Sequence, residues 1–332
     1  MDSARVDCFF VNKQDGELVR GMQQQPFDAL PEGEVLLEVH YSAVNYKDAL
    51  AAEGHPGVAL GLPLVPGIDA VGRVIESRSE RCAVGDQVMV SGADFGTRSW
   101  GGWATLARAP GSYCFVVPQG LTDRESVILG TAGFTAAQSV ERLQHHGVGP
   151  DKGPVLVTGA TGGVGTFAVK LLGQLGYQVV AVTGKLDQVD WLKSLGATRV
   201  LSREEVSDSS DRPLLSGKWA GAVDTVGGGI LETTLRSTQP GGCVTACGLV
   251  AGHQLNTTVY PFILRGVSLQ GIDSANPTVE FRERLWHRLA TDLKMSGLED
   301  LATNVALAEV ESSVTAILAG KVRGRHVVEV KS

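Results

Sequence analysis

The stretch PVLVTGATGGVG, Pro154 to Gly165, decides how the chain folds. Pro154 to Val157 is a short apolar run suited to a buried parallel strand, and after the glycines the residues from Thr166 to Gly176 place apolar side chains at helical spacing. Strand, glycine turn and helix together open a dinucleotide-binding unit. Glycine permits positive φ in the turn, lets the backbone approach a pyrophosphate, and lets helix and strand pack closely, with the helix N-terminus facing the phosphates. The spacing from Gly159 through Gly162 and Gly163 to Gly165 departs from strict G-x-G-x-x-G. A P-loop reading fails because no Gly-Lys-Ser/Thr follows. The short-chain reductase pattern T-G-x-x-x-G-x-G fits Thr158 to Gly165, yet its Tyr-x-x-x-Lys pair is missing: Ala181 stands four residues after Tyr177, and Leu264 four after Tyr260.

Upstream, residues 1 to about 126 read as mostly β. Val35–Val44, Ala70–Glu76, Gln87–Gly92 and Ser112–Pro118 are β-prone runs separated by turn signals such as VGD at Val84 and PQG at Pro118, which predicts a barrel-like domain. At Leu121 the pattern turns helical, with Thr122 as N-cap and Glu125 at the capping-box distance. Downstream, Tyr177–Gly184, Thr198–Ser202, Ala220–Gly227, Gly242–Gly248 and Val267–Asp273 add five strands to the first. Six strands alternating with helical or loop segments predict a doubly wound parallel sheet. Residues 204–217 are polar and acidic, a solvated helix or a loop. An amphipathic helix around Phe281 to Leu293 precedes a last strand, His326–Val330, expected to return to the N-terminal domain. The fold class is therefore α/β, with one domain formed by 1–126 and 273–332 and the other by 127–272.

Composition narrows the function. The 332 residues carry a net charge of −7, which argues against nonspecific binding to nucleic acid or anionic membrane. The five cysteines are scattered and form no Cys-x-x-Cys pair, so neither a disulfide scaffold nor a structural zinc lobe is expected. No signal-peptide layout and no apolar run of about 18 to 20 residues is present, and a reduced, cytoplasmic protein is the expectation.

Several motifs agree in order with one family. VPGIDAVGRV from Val65, VGDQV from Val84 and WGGWA from Trp100, followed by the late GATGGVG unit, resemble the medium-chain dehydrogenase/reductases over essentially the whole chain. Within them, NYKDAL from Asn45, GTAGFTA from Gly130, DTVG from Asp224, GCVTACGL from Gly242, PFILRGVSLQGIDS from Pro261 and GRHVVEV from Gly324 resemble the bacterial NADPH-dependent acryloyl-CoA reductases, often labelled quinone oxidoreductases of the YhdH/YhfP type. The resemblance implies a GroES-like catalytic domain beside a Rossmann domain, NADPH as cofactor, and reduction of acryloyl-CoA to propanoyl-CoA. Quinone reduction is the alternative, and a noncatalytic, crystallin-like NADPH-binding protein a more distant one. It also implies a homodimer paired through Val267 to Gly271.

Zinc-dependent members place Cys where Asn45 stands and a His-Glu pair where Ile68 and Asp69 stand. Ile68 cannot ligate, so no metal is expected. Cofactor choice is read at the end of the second Rossmann strand, where Thr183, Gly184 and Lys185 replace the usual acid; with Arg203 as a second cation, they suit a 2′-phosphate. Two charge-assisted contacts would favour NADPH by roughly tenfold to ten-thousandfold, unless both cations are ordinary surface charges. Asp187 is read as a helix N-cap. The resembling reductases also hold the cofactor with residues matching Tyr46, Thr161, Gly162, Gly163, Val164, Leu249, Ile263 and Ser274; for Leu249 and Ile263 plain core packing is the alternative. Tyr46 is the candidate proton donor, the other reading being that it covers the nicotinamide while water donates. Asn45 orients Tyr46 or the nicotinamide amide, and Asp48 braces the turn. Lys47, Arg323 and Arg325 are candidate partners for CoA phosphates, or ordinary structural charges.

Overall fold

Asp15 and Gly16 turn the chain back on itself with positive φ (52° and 87°), pairing β1 (Arg5–Gln14) with β2 (Glu17–Pro26) in a two-residue hairpin. Two consecutive positive φ angles match the twist of the flanking strands, which is why Asp-Gly serves there. The computed structural model of the chain describes residues 5–92 and 94–331. After the hairpin come β3 (Val35–Val44), the short helix α1 (Tyr46–Ala52), β4 (Asp69–Ser77), β5 (Gln87–Ser91), β6 (Leu106–Ala109) and β7 (Cys114–Val116). Val35, Leu37 and Val39 alternate onto one face of β3 and pack with Ala70, Val74, Val88, Val90 and Phe95 in one core, while Leu36 is buried on the other face.

Helix α2 (Asp123–His145) opens with the expected box: the Glu125 backbone N–H donates to Thr122 Oγ1 at 3.0 Å and the Thr122 N–H to Glu125 Oε2 at 2.9 Å. It is broken at Gly130, where φ is 46° and ψ −154°. Then follow β8 (Val155–Val157), α3 (Gly163–Gln174), β9 (Val179–Val182), α4 (Val189–Ser194), β10 (Ala197–Leu201), β11 (Trp219–Asp224), α5 (Gly228–Arg236), β12 (Thr238–Ala246), α6 (Tyr260–Arg265) and β13 (Ser268–Gly271). The six strands form one parallel sheet in the order β10-β9-β8-β11-β12-β13. Counted from β8 the order is 3-2-1-4-5-6, and its direction reverses between β8 and β11, the crevice where open α/β sheets bind ligands. Residues 204–217 are a loop apart from one 3-10 turn at Glu204–Val206.

The chain ends with α7 (Val279–Ala290), β14 (Ala302–Ala306), α8 (Val310–Leu318) and β15 (Arg325–Glu329). β15 pairs antiparallel with β3, placing His326 opposite Val44 and Glu329 opposite Tyr41. The seven-stranded sheet runs β14-β15-β3-β4-β5-β7, with β6 also on β3. Two compact units result, Met1–Thr131 with Ala275–Ser332, and Ala132–Ser274. Among the described residues no helix is long and apolar enough to cross a membrane.

Candidate active site

Asn45, Tyr46 and Asp48 lie at the start of α1, so the residues expected in a turn form the first turn of a helix. Asn45 is the N-cap with extended backbone (φ −104°, ψ 162°), and its N–H donates to Asp48 Oδ2 at 2.8 Å in a capping box. The side-chain amide of Asn45 donates as well, from Nδ2 to Asp48 Oδ2 at 3.0 Å and to Asp69 Oδ2 at 2.9 Å. Asp48 Oδ1 accepts the N–H groups of Gly67 and Ile68 at 3.1 and 2.7 Å. Asp48 therefore braces more than its own turn, since it also fixes the entry into β4. Tyr46 is the first helical residue and is partly buried.

Three residues that sequence reading left out of the catalytic set complete this cluster. Asp69, the first residue of β4, accepts the Thr131 N–H at 3.0 Å and the Thr131 hydroxyl at 2.6 Å. Arg325, the first residue of β15, donates from Nη1 to Asn45 Oδ1 at 2.9 Å and from Nε to the Ile128 carbonyl at 3.0 Å, while its Nη2 lies 3.6 Å from Asp69 Oδ2. Asp48 and Asp69 are fully buried and Arg325 is 2% exposed. Arg325 is thus unavailable as a CoA phosphate partner: its guanidinium is committed inside the protein. Burial pushes the Asp48 carboxyl up to about 6 against the pull of the Asn45 N–H, with Asp69 adding to the rise. Burial also lowers Arg325 from its ordinary value, opposed by Asp69 and Asp48. The break at Gly130 makes room for the cluster, since a Cβ there would stand 2.6 Å from Asp69 Oδ2 and 3.0 Å from Arg325 Nη2. Gly130, the first glycine of GTAGFTA, is a local signal that could have pointed here.

In the parallel-sheet unit, Gly162 caps α3 without any side chain (φ −80°, ψ 172°), and Gly163 and Val164 begin the helix. Its first backbone N–H groups have no intrahelical acceptor, the arrangement that receives phosphate oxygens. Gly159 turns with φ 59°, and a Cβ on Gly165 would strike the Gly159 carbonyl oxygen, so turn and helix meet at backbone distance. Thr161 Oγ1 lies 3.1 Å from Thr183 Oγ1, joining the glycine turn to the end of β9, and Thr183 Oγ1 accepts the Lys185 N–H at 3.0 Å. The Arg203 guanidinium lies against Gly184, whose added Cβ would stand 2.9 Å from Arg203 Cζ. Burial lowers the Lys185 ammonium from its ordinary value, Asp187 opposing and Arg203 adding to the fall. Two cationic residues, Lys185 and Arg203, therefore stand where β9 and β10 end, near enough for the charge of one to act on the other.

Asp187 is not the cap of α4: it sits within a 3-10 turn, Leu186–Gln188, and Gln188 occupies the cap. Leu249 and Ile263, 57% and 68% exposed, are not core residues. Leu249 follows β12, Ile263 lies on α6, and Ser274 follows β13, partly buried. Cys243 is fully buried and Cys247 partly so; burial pushes their thiols up to about 11 and about 12, which leaves them protonated and inert.

With this geometry in view, comparison with known proteins is informative. Residues 31–119 match the family described as alcohol dehydrogenase GroES-like domain, and residues 163–291 the one described as zinc-binding dehydrogenase. Acrylyl-CoA reductase AcuI of Ruegeria pomeroyi is 43% identical over 321 residues, 97% of either chain. YhfP of Bacillus subtilis, provisionally named a quinone oxidoreductase, is 45% identical over 90% of this chain and 91% of its own. Its crystal structure with NAD bound covers 99% of this chain and 100% of that one, with a TM-score of 0.94 at 42% identity. The crystal structure of YhdH from Escherichia coli K-12 with bound NADPH gives the same TM-score at 45% identity, covering 98% and 100%.

The zinc in one family description is not matched by the side chains of this site. Ile68 has no donor atom, Asn45 turns its amide nitrogen to the two carboxylates, and Asp69 is engaged by Thr131, Asn45 and Arg325. A catalytic zinc needs three protein ligands from Cys, His or carboxylate, and no group of three such side chains is arranged for one among the described residues.

Proposed function

The chain belongs to the medium-chain dehydrogenase/reductase family, in the branch that holds AcuI, YhdH and YhfP, and we propose that it reduces the carbon–carbon double bond of acryloyl-CoA to give propanoyl-CoA, with NADPH as hydride source and no metal. It is an oxidoreductase. The observation that carries the cofactor half of the reading is the Arg203 guanidinium lying against Gly184, next to Lys185 at the end of β9, in the unit where the N-terminus of α3 is bare of any capping side chain. An acid in that place would accept the ribose hydroxyl of NAD; two cations and a residue without a side chain suit a phosphate. The substrate half is supported by the likeness to AcuI along 97% of both chains.

NADPH, when bound, supplies the hydride for the β carbon. The protein's own part is to hold the partners and deliver a proton. Lys185, Arg203, Thr183 and Thr161 with the N–H groups of Gly163 and Val164 hold the dinucleotide, and Leu249, Ile263 and Ser274 are assigned to its other end. Tyr46, whose phenol carries an O–H donor, gives its proton to the α carbon or supports the nicotinamide. Asn45, fixed on three sides, sets the position of Tyr46, and Asp48 holds Asn45. The reading includes a cytoplasmic enzyme whose five cysteines stay as thiols, and a homodimer paired through the open edge of β13. Purified protein should oxidise NADPH on addition of acryloyl-CoA and form propanoyl-CoA in equal amount; rapid turnover of quinones without this reaction would favour the alternative carried by the name of YhfP.

A further inference from the structure

At the sheet's reversal point, two buried side chains join the ends of β8 and β11. Thr158 follows β8 and Asp224 ends β11; neither has any exposed surface. Thr158 Oγ1 donates to Asp224 Oδ1 at 2.7 Å and accepts the Thr225 N–H at 2.9 Å, so its hydroxyl works in both directions. Asp224 Oδ2 accepts the Gly227 N–H at 2.8 Å, and the Thr225 hydroxyl donates to the Thr158 carbonyl at 2.8 Å. The turn so held presses on the glycine turn: a Cβ added to Gly159 would collide with Thr225 Oγ1 and come within 3.0 Å of Val226 Cγ1. Gly159 in turn backs onto Gly165 in the first turn of α3. An unbroken series of contacts therefore runs from the carboxylate of Asp224 to the backbone N–H groups assigned to the phosphates.

We propose that Thr158 and Asp224 are positioning residues for dinucleotide binding, a latch that holds the Thr225–Val226 turn against Gly159 and so aims the N-terminus of α3. A simple packing role would be filled equally well by an apolar pair of the same shape, which costs little when both polar partners go together. The latch instead uses both carboxylate oxygens on donors from two segments. The inference rests on the cofactor reading above.

The test is the NADPH dissociation constant, measured by fluorescence titration well below each protein's melting temperature, for the unmodified chain, Thr158→Val, Thr158→Ser and Asp224→Asn. Thr158→Val, which keeps the shape and removes the hydroxyl, should weaken NADPH binding roughly tenfold or more. Thr158→Ser, which keeps the hydroxyl, should stay within about threefold. Asp224→Asn, which can satisfy only one of its two donors in the native orientation, should follow Thr158→Val and keeps the test open if that variant does not fold. A lowered melting temperature with an unchanged dissociation constant in Thr158→Val or Asp224→Asn would reduce the pair to a structural contact and overturn the latch alone. An unmodified chain that fails to bind NADPH would remove the cofactor reading, and the latch with it.

Discussion

Arg325 Nη1 donates to Asn45 Oδ1 at 2.9 Å across 280 residues of sequence, tying the first residue of the last strand to the cap of α1. Where zinc-dependent relatives place metal ligands, this chain keeps a buried guanidinium between an amide and a carboxylate. A guanidinium at 2% exposure with two buried carboxylates as neighbours is tolerated only because the charges face one another.

Removing the cation should therefore cost more than an ordinary core substitution. Arg325→Met keeps most of the volume and leaves Asp48 and Asp69 without a compensating charge, for an expected loss of about 3 to 5 kcal/mol in urea unfolding. A loss under about 1 kcal/mol would mean that the carboxylates are satisfied by their N–H donors alone.

This cluster also marks how far the chain could be read before its structure was known. The strand, glycine turn and helix at Pro154–Gly165 and the six-strand alternation were legible because each is local and periodic. The places of Lys185 and Arg203 just past the ends of β9 and β10 were legible for the same reason. Arg325 was not legible as part of a site: it precedes an apolar strand like any flanking charge, and its partners are 280 and 256 residues away. Helix α1 spans seven residues, under two turns, too short for a 3.6-residue period to appear. The β1–β2 hairpin escaped because β2, ELVRGMQQQP, has no fully buried residue and shows no apolar alternation, although Asp15–Gly16 is a strong turn signal.

The pH dependence of stability follows from Asp48. Its carboxyl is pushed up to about 6 from 3.8 by burial, so the folded state prefers the proton. The stability this gives is full below about 3.8 and is lost as pH rises through about 6. Replacing Asp48 by Asn removes that titration. The difference in unfolding free energy between the unmodified protein and Asp48→Asn should shift by on the order of 2 to 3 kcal/mol against the unmodified protein from pH 4 to pH 7. A difference constant over this range would show that the N–H donors around Asp48 keep it ionised throughout.

Cofactor preference should move with two side chains. Lys185→Ala combined with Arg203→Ala should raise the KM for NADPH by roughly tenfold or more and change kcat less, because contacts to a distant phosphate persist unchanged into the transition state. The KM for NADH should hardly move. Equal use of NADH and NADPH by the unmodified protein would contradict the assignment.

Tyr46→Phe separates the two roles proposed for the phenol. Loss of a proton donor should lower kcat by roughly 10² to 10⁴ while NADPH affinity stays close to its starting value. A fall in affinity with little change in kcat would make Tyr46 a support for the nicotinamide and leave water as the donor.

The most direct measurement of the central claim is isotopic. Acryloyl-CoA is turned over, after exhaustive chelation, with NADPH carrying deuterium at the transferable C4 position, and the product is read by mass spectrometry. The account predicts propanoyl-CoA with one deuterium at the β carbon, formed at the undiminished rate of the untreated enzyme. Absence of propanoyl-CoA, deuterium missing from the β carbon, or activity that disappears on chelation and returns with zinc would contradict it.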